Sequence, residues 1–301
     1  MGDYTRCVIT GATGFIGSHL TRRMVNDGKD VHVLVRNESK LISIQDILHK
    51  ITLHPIDATV SSLINAVKLA NPDVVFHLAA LFKADHTPDD IQSLINSNIT
   101  FTAQLLEAMI QVRANVLINT GTSWQHYQNA EYDPVCFYAA TKQAAKDIIT
   151  FYCNTYGVRA ITLKLFDTYG PGDTRKKLFQ AFHTASMSIE PVPFTAGEQL
   201  LDLVYIDDVV EGFNVAAKQC ISARAGSNNE YCITSGRQMQ LREIAEIYSV
   251  MTGRKLNIQW GARLYRHREV MRPFIDGQKL PNWTANFQLE QGIKKIDELR
   301  D

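Results

Sequence analysis

Short apolar runs alternate with segments of helical periodicity through the first half of the chain. The runs are rich in β-branched residues and predict strands at 8–9, 31–35, 51–56, 74–80, 116–118 and 161–166. The segments between them carry apolar residues on one face and predict helices from residue 15 and at 61–69, 91–112 and 137–156. Strands that alternate with helices imply a parallel sheet with right-handed crossovers.

The second half of the chain is less regular. Here we predict a loop at 169–173, an extended segment at 191–193 and short strands at 204–206 and 231–233. Helical periodicity predicts further helices at 176–187, 208–218, 241–252 and 289–299, the third of which is closed by Gly253. We therefore predict that the C-terminal third forms a smaller cap, interleaved along the sequence with the first domain.

Composition narrows the classes of partner. The chain has 301 residues, enough for one large domain or two, and its Lys+Arg and Asp+Glu counts are both 31. Because there is no basic excess, we expect neither a nucleic-acid nor a membrane partner. The five cysteines are scattered without a Cys-x-x-Cys pair, and no apolar run is long enough to span a membrane or resembles a signal peptide. We expect a cytoplasmic protein with reduced thiols and no metal site.

Three glycines follow the first predicted strand at a spacing of three. They are Gly11, Gly14 and Gly17, and a helical pattern begins directly after the second. In such a turn the first glycine allows the tight bend, the second admits a pyrophosphate and the third lets the helix pack on the strand. The alternative is a glycine-rich turn that binds nothing, but the strand-turn-helix context favours a dinucleotide.

Arg36 ends the second predicted strand, where a dinucleotide fold meets the adenosine ribose. An acidic residue there binds the 2′-hydroxyl of NAD, whereas an arginine favours the 2′-phosphate of NADP. The position therefore predicts NADPH over NADH, with Asn37 and Lys40 as helpers. The alternative is an ordinary surface arginine at a loop entrance.

A cofactor on this turn would lie across the ends of neighbouring strands. Asp57 follows the third predicted strand, and small residues at the end of the fourth leave room for a ligand. His77, in that fourth strand, is expected to be a hydrogen-bonded structural residue. The cofactor candidates from this half of the chain are Gly11, Thr13, Gly14, Phe15, Ile16, Gly17, Arg36, Asp57, Leu78, Ala79 and Ala80.

Tyr138 and Lys142 lie near the start of a predicted helix. Their spacing of four places both on one helical face. A lysine cation near a phenol stabilises the phenolate, so we expect the pKa of Tyr138 to be lowered enough for proton exchange near neutral pH. Thr122 leaves the preceding strand end and is positioned to hydrogen-bond the same substrate oxygen.

These motifs resemble the extended short-chain dehydrogenase/reductases, and within them the nucleotide-sugar epimerase/dehydratase group. The resemblance covers nearly the whole chain. It rests on Gly11, Gly14, Gly17, His77-Leu78-Ala79-Ala80, Asn98, Thr122, Tyr138, Lys142, Tyr169-Gly170-Pro171-Gly172 and 204–209.

The resemblance implies a fold and a set of roles. It implies an α/β protein, with a Rossmann-type doubly wound parallel sheet and NADP-binding domain at 1–166 to which 203–235 returns. A smaller α/β substrate-binding domain would comprise 167–202 and 236–301. Tyr138 would be the catalytic acid/base, Lys142 its pKa modulator and the ribose anchor, and Thr122 the hydroxyl partner. Tyr138, Lys142 and Asn98 would also bind the cofactor, and the long helices at 91–112 and 137–156 would form a homodimer.

Two departures from the group narrow the activity. Dehydratases of the group carry acidic residues directly after the catalytic threonine, where this chain has Ser123 and Trp124. The acid and base that eliminate water are therefore missing. Fucose-synthase-like epimerase/reductases carry a cysteine where Trp124 stands.

The usual phosphate clamp of the group is also altered. Leu201 stands where most members carry an arginine before Asp202. Arginine and lysine side chains elsewhere are candidates to replace it, although each is equally compatible with a solvated surface charge. The candidates are Arg175, Lys176, Lys177 and Arg266 with Glu269. The expected substrate-binding set is Ser123, Trp124, Asp167, Arg175, Lys177, Arg266 and Glu269.

Within the group, the chain is most similar to the CDP-abequose and CDP-paratose synthase-like 4-ketoreductases. That similarity rests on Thr120, Thr122, 169–173, 197–199 and the region of Arg266 and Glu269. It implies NADPH-dependent reduction of the keto group of a nucleotide-linked 4-keto-deoxysugar. One alternative is a nucleotide-sugar 4-epimerase that uses tightly held NAD. Another is a non-catalytic NADP-binding sensor protein, against which the intact Thr122, Tyr138 and Lys142 argue.

Overall fold

The architecture is that of alternating strands and helices, seen in a computed structural model that describes residues 2–57, 59–175 and 177–298. The strands are β1 (Arg6–Thr10), β2 (Asp30–Arg36), β3 (Thr52–Ile56), β4 (Val74–His77), β5 (Val116–Thr122), β6 (Arg159–Leu165), β7 (Asp167–Tyr169), β8 (Val192–Pro193), β9 (Leu200–Tyr205), β10 (Asn228–Ile233), β11 (Gln238–Gln240) and β12 (Ile258–Gln259). The helices are α1 (Phe15–Asn26), α2 (Val60–Ala70), α3 (Ile91–Ile95), α4 (Phe101–Gln111), α5 (Phe137–Tyr156), α6 (Leu178–Met187), α7 (Ile206–Ile221), α8 (Leu241–Thr252) and α9 (Leu289–Glu298).

The central sheet of the described ranges has seven parallel strands in the order β10-β6-β5-β4-β1-β2-β3. The direction of winding reverses between β1 and β4, where Ile9 pairs with Phe76. Strand ends on either side of such a reversal leave a crevice that binds ligands in open α/β sheets. The predicted α/β fold with a Rossmann-type doubly wound sheet is confirmed.

Helices cover both faces of this sheet. Adjacent residues of a strand point to opposite faces, so Ile9 of β1 joins the core under α1 and α7, with Met24 and Phe213. Its neighbour Val8 joins the core under α2, α4 and α5, which includes Leu63, Leu105 and Ile149. Burial on both faces explains why the strands are short continuous apolar runs.

Two smaller sheets lie in the second half of the described chain. One has the order β11-β9-β7, and the other pairs β12 with β8. Between these segments, β10 returns to the central sheet and pairs in parallel with β6, Asn228 opposite Ala160. The division into a cofactor domain and a substrate domain at the predicted residue boundaries stays a prediction.

Some element boundaries differ from those predicted. The strand expected at 74–80 ends at His77, because residues 78–80 leave the ladder to form a loop beside Gly11. The single helix expected at 91–112 contains a π-helical turn at Asn96–Thr100, which separates α3 from α4. The short strands β7, β11 and β12 and the 3₁₀ segment Ile42–Lys50 were not predicted, since pairing rather than periodicity defines such short elements.

The long helix α5 begins and ends where the periodicity predicts, closed by Gly157 in the left-handed region. The last helix is described from Leu289 to Glu298, and the predicted extension to Leu299 lies outside the described residues. Across the described ranges, no helix is both long and apolar enough to cross a membrane.

Candidate active site

The glycine turn forms a cradle for a large anion. Gly11 has φ +73°, and a Cβ there would lie 2.6 Å from the backbone nitrogen of Ala79, while a Cβ on Gly17 would collide with the carbonyl oxygen of Gly11. Gly14 donates its N–H to that oxygen at 3.0 Å and precedes α1, whose start has neither a capping side chain nor an acidic residue. The open, positively polarised helix end fits the pyrophosphate of a dinucleotide.

The other predicted turn residues surround this cradle. Thr13 accepts a hydrogen bond at its carbonyl oxygen from the Ser43 hydroxyl at 2.9 Å, which anchors the turn to the 42–50 segment. Phe15 and Ile16 form the first turn of α1 and are half-buried. The turn is therefore held from the side and stays open at its tip.

Arg36 and Asp57 lie at the ends of neighbouring strands. Arg36 is the last residue of β2 and pairs in register with Ile56, so Asp57 follows directly beside it. The Arg36 side chain is 71% exposed, and its Nε lies 3.3 Å from the Glu38 carboxylate. Asp57 accepts hydrogen bonds from the Thr59 N–H and hydroxyl, which lower the pKa of its carboxyl. The predicted ribose pocket thus holds Arg36 together with two acidic residues, Glu38 and Asp57.

The loop at 78–81 is fastened to the sheet and to the π-helical turn. The Ala79 N–H donates to the Thr10 hydroxyl at 3.2 Å. Asn98 binds Leu81 twice, its Oδ1 accepting from the N–H at 2.8 Å and its Nδ2 donating to the carbonyl at 3.0 Å. The amide of Asn98 therefore braces the loop. Its role towards a cofactor stays a prediction.

Tyr138 and Lys142 lie on the first turns of α5, as the spacing predicts. The Lys142 ammonium is 5.9 Å from the centre of the Tyr138 ring, and both side chains are buried. The expectation that the pKa of Tyr138 is lowered is wrong for this structure. Desolvation raises the pKa of the phenol and lowers the pKa of Lys142 to about 8. Because burial raises the pKa of Tyr138, the phenol is protonated at neutral pH.

Thr122 is the last residue of β5 and is buried. Its hydroxyl oxygen accepts from the Trp124 N–H at 3.3 Å, and its own N–H donates to the Gln125 side chain at 3.3 Å. Within the described residues, the Thr122 hydroxyl proton has no acceptor, which leaves it available to a ligand.

An aromatic wall joins these two parts of the site. Phe82 packs edge-to-face on Tyr138 with ring centres 5.0 Å apart. Its ring also packs, in a tilted arrangement, against the Trp124 ring at 5.6 Å. Sequence analysis did not single out Phe82, which is 44% exposed. Its one sequence signal is that it follows the small residues of the 78–80 loop.

Two of the predicted cations rest on this wall. Lys177 lies 4.8 Å over the Phe82 ring and 3.9 Å from Asp167, while Arg266 lies 5.9 Å over Trp124. Arg266 also lies 3.5 Å from Asp85, and its N–H donates to Glu269 at 3.2 Å. Both cations stand near the catalytic candidates with exposed faces.

The structure does not bring Arg175 into that group. Its guanidinium binds both carboxylate oxygens of Asp173 at 2.7 Å and stacks 4.6 Å from the Phe15 ring, beside the glycine turn. It also donates to the carbonyl of Thr168 at 3.0 Å. Lys176 lies outside the described residues.

A cleft beside Thr122 collects five of the seven predicted substrate residues. They are Ser123, Trp124, Asp167, Arg266 and Glu269. The cleft is also lined by Leu201, Asp202, His126, Arg268 and Phe274, none of which was predicted to bind substrate. His126, Arg268 and Phe274 lie in separate segments of the chain, and no local sequence pattern indicates that these segments meet.

Comparison with known proteins assigns the chain to a family. Residues 7–231 match the model of the NAD dependent epimerase/dehydratase family. The chain belongs to this family. The resemblance inferred from the sequence motifs is therefore confirmed.

Members of the epimerase/dehydratase family with curated activities align over almost the full chain. The CDP-abequose synthase of Salmonella muenchen is 24% identical over 299 residues, covering 98% of each chain. That of Yersinia pseudotuberculosis is 28% identical over 271 residues, covering 89% of this chain and 91% of the relative.

Solved structures of family members share the fold. The UDP-glucose 4-epimerase of Thermotoga maritima, solved with UDP-glucose, aligns with a TM-score of 0.86 at 22% identity over 98% of both chains. The UDP-glucose 4-epimerase of Thermus thermophilus, solved with NAD, aligns with a TM-score of 0.82 at 22% identity, again over 98% of both chains. The chain is an enzyme of this nicotinamide-dependent family.

Proposed function

We propose that this protein is an NADPH-dependent reductase of the keto group of a nucleotide-linked 4-keto-deoxysugar. The observation that carries the proposal is the neighbourhood of Thr122 and Tyr138. Proton-donating hydroxyls stand there, and Ser123 and Trp124 occupy the positions directly after Thr122 where a dehydratase would carry its acid and base. The similarity to CDP-abequose synthases over nearly the whole chain supports the same reaction class.

Reduction of a ketone adds a hydride at carbon and a proton at oxygen. Bound NADPH supplies the hydride. Tyr138 is suited to give the proton because burial keeps its phenol protonated at neutral pH. The Thr122 hydroxyl orients the same carbonyl oxygen, and the Lys142 ammonium stabilises the phenolate that remains.

Arg266 and Lys177 would bind the diphosphate in place of the arginine that Leu201 replaces. Both cations lie on the aromatic wall next to Tyr138, with more than a third of each side chain exposed. Glu269 and Asp167 in the same cleft offer acceptors for sugar or ribose hydroxyls.

A nucleotide-sugar 4-epimerase with bound NAD is the second candidate. The Glu38 carboxylate 3.3 Å from Arg36 favours it, since an acid at this strand end selects NAD. The likeness in fold to UDP-glucose 4-epimerases is compatible with either reaction.

One reaction in deuterated water separates the two candidates. The protein is incubated with NADPH and a CDP- or dTDP-linked 4-keto-6-deoxysugar, and the product is followed by NMR. A reductase consumes one NADPH per ketone and leaves the carbons beside the ketone free of deuterium. Interconversion of the corresponding 4-hydroxy nucleotide sugar at carbon 4 without net NADPH oxidation would overturn the proposal in favour of the 4-epimerase. Deuterium at the carbons beside the ketone would overturn it too, because it would show deprotonation there, which simple reduction does not involve.

We further propose a cytoplasmic homodimer. All five cysteines fall in the described ranges and are free thiols. Phe151 and Tyr156 are 53% and 51% exposed and pack with Tyr152 into an aromatic patch near the end of α5, which suits a helix-to-helix interface. A dimer mass in sedimentation equilibrium that falls for Phe151→Ser would support this interface.

A further inference from the structure

A chain of buried hydrogen bonds runs from the end of β1 to the catalytic end of α5. Its members, here called the polar relay, are Thr10, His77, Thr102, Asn98 and Thr141, each at most 2% exposed. His77 bonds Thr10 and Thr102 through its two ring nitrogens, both at 2.9 Å. Asn98 bonds Thr141 at 2.9 Å, and the Thr141 hydroxyl bonds the Tyr138 carbonyl at 2.7 Å.

The donors and acceptors fix the direction of every bond. A carbonyl oxygen only accepts, so the Thr141 hydroxyl donates to Tyr138 and the Thr102 hydroxyl donates to the Asn98 carbonyl at 2.8 Å. Thr102 must then accept from His77 Nε2–H. The other ring nitrogen, Nδ1, accepts from the Thr10 hydroxyl, which in turn accepts from the Ala79 N–H.

The relay therefore requires a neutral histidine with its proton on Nε2. A second proton on Nδ1 would face the Thr10 hydroxyl proton. Burial and the nearby Lys142 charge lower the pKa of His77 to about 3, so the neutral form is the one present at neutral pH. As the sequence predicted, His77 is hydrogen-bonded, here at both ring nitrogens, and these bonds determine its tautomer.

The relay reaches the glycine turn, the 78–81 loop and the start of α5. Thr10 precedes the glycine turn, Asn98 clamps Leu81 at the end of the 78–81 loop, and Thr141 lies beside Lys142. The π-helical turn at Asn96–Thr100 carries Asn98, and such turns recur at functional sites.

We infer that the polar relay sets the position of Tyr138 and Lys142 relative to the cofactor loop, with Thr141, Thr102 and His77 as positioning residues. The inference rests on the proposed roles of Tyr138 and Lys142. Hydride and proton transfer depend on sub-ångström placement, and a shift of about 1 Å lowers rates by as much as 10²-fold. Loss of one relay bond therefore reduces turnover more than it reduces binding.

Paired variants test the relay. Thr141→Val keeps the shape and removes the hydroxyl, whereas Thr141→Ser keeps the hydroxyl. We expect Thr141→Val to lower kcat by about 10- to 100-fold, with KM and the NADPH Kd changed less than about threefold. Thr141→Ser should stay within about threefold of the unmutated enzyme. Thr102→Val and Thr102→Ser form a second pair outside α5. This pair repeats the test independently and replaces the first pair if Thr141→Val does not fold.

If the relay only stabilised the fold, its loss would change different measured quantities. It would lower the unfolding temperature and the fraction of sites that bind NADPH, while kcat per binding site stayed unchanged. That result, or a serine variant as slow as its valine partner, would overturn the inference. Turnover is measured with whichever nucleotide sugar the unmutated enzyme converts. If the unmutated enzyme proves to be an epimerase, the proposed function is refuted, but the same variants still test the relay.

The tautomer gives a test that needs no turnover. In the ¹⁵N-histidine-labelled protein, the His77 signals are identified by their loss in His77→Gln. We expect nitrogen shifts of a neutral ring protonated at Nε2, retained in Thr102→Ser and altered in Thr102→Val. A ring protonated at Nδ1, or one unaffected by Thr102→Val, would overturn the relay.

Discussion

The Lys142 ammonium lies 5.9 Å from the centre of the Tyr138 ring, and burial moves the pKa values of the two side chains in opposite directions. The phenol is held neutral, while the lysine remains mostly charged at pH 7. That combination suits a proton donor beside a cation. It also means that the folded protein carries the buried charge of Lys142. This charge serves the proposed proton transfer, but its burial lowers the stability of the fold.

We predict that Lys142→Met stabilises the fold at pH 7. The pKa of Lys142 falls from 10.5 to about 8 on folding, so between those values the unfolded state binds more protons and stability rises with pH. The charge therefore destabilises the native state below about pH 8, by roughly 3 kcal/mol. Urea unfolding of both proteins at pH 7 and pH 10.5 measures the difference, which should shrink at the higher pH.

The same variant should lose turnover, because it removes the cation beside Tyr138. Lys68→Met, at an exposed lysine of α2, controls for the loss of a surface charge. A Lys142→Met protein no more stable than the unmutated one at pH 7 would mean that the buried charge is compensated.

Tyr138→Phe tests the proton donor. The ring contact with Phe82 at 5.0 Å is kept and only the hydroxyl is lost. We predict a fall in turnover of about 10²- to 10⁴-fold with NADPH affinity retained. Tyr132→Phe, at a tyrosine 49% exposed, is the matched control. Stopped-flow oxidation of NADPH measures the step, and near-normal rates in Tyr138→Phe would assign the proton to another group.

Local sequence pattern predicted the glycine turn and the pair on α5. In both cases the residues lie within one short segment of the chain, so spacing along the chain determines their geometry. Gly11 and Gly17 meet across a single turn, and Tyr138 and Lys142 lie on one helical face. The outline of the central sheet follows for the same reason, since its inner strands β1, β2, β4, β5 and β6 are mostly buried runs.

Properties that depend on contacts between distant segments were not predictable in this way. Phe82 matters because it touches Tyr138 and Trp124, and no periodicity marks it. Arg175 was grouped with Arg266 because both are basic, yet Asp173 and Phe15 hold it beside the glycine turn. The direction of the Tyr138 pKa shift likewise depends on burial, which spacing does not reveal.

Arg36 gives a prediction about the cofactor. We expect NADPH to bind more tightly than NADH, and Arg36→Ala to narrow the difference. A charge-assisted phosphate contact contributes about 1.5–3 kcal/mol, with the lower figure expected for a side chain as exposed as this one. Glu38→Gln removes the competing carboxylate and should favour NADPH further. Calorimetric titration measures both, and equal affinities in the unmutated protein would contradict the prediction.

The last prediction separates two arginines that the sequence could not tell apart. Arg266 rests on Trp124 in the cleft with Glu269, so Arg266→Gln should raise KM for the nucleotide sugar by about tenfold or more, the loss of one charge-assisted bond. Its NADPH Kd should not change. Arg175 rests on Phe15 at the start of α1, so Arg175→Gln should weaken NADPH and leave the sugar KM near its original value. Arg263→Gln, at an exposed arginine three residues before Arg266, controls for charge alone. If Arg175→Gln instead raised the KM for the nucleotide sugar, the diphosphate of that substrate would have to lie between the glycine turn and the cleft. Arg266 would then not take the place of the arginine that most family members carry at position 201.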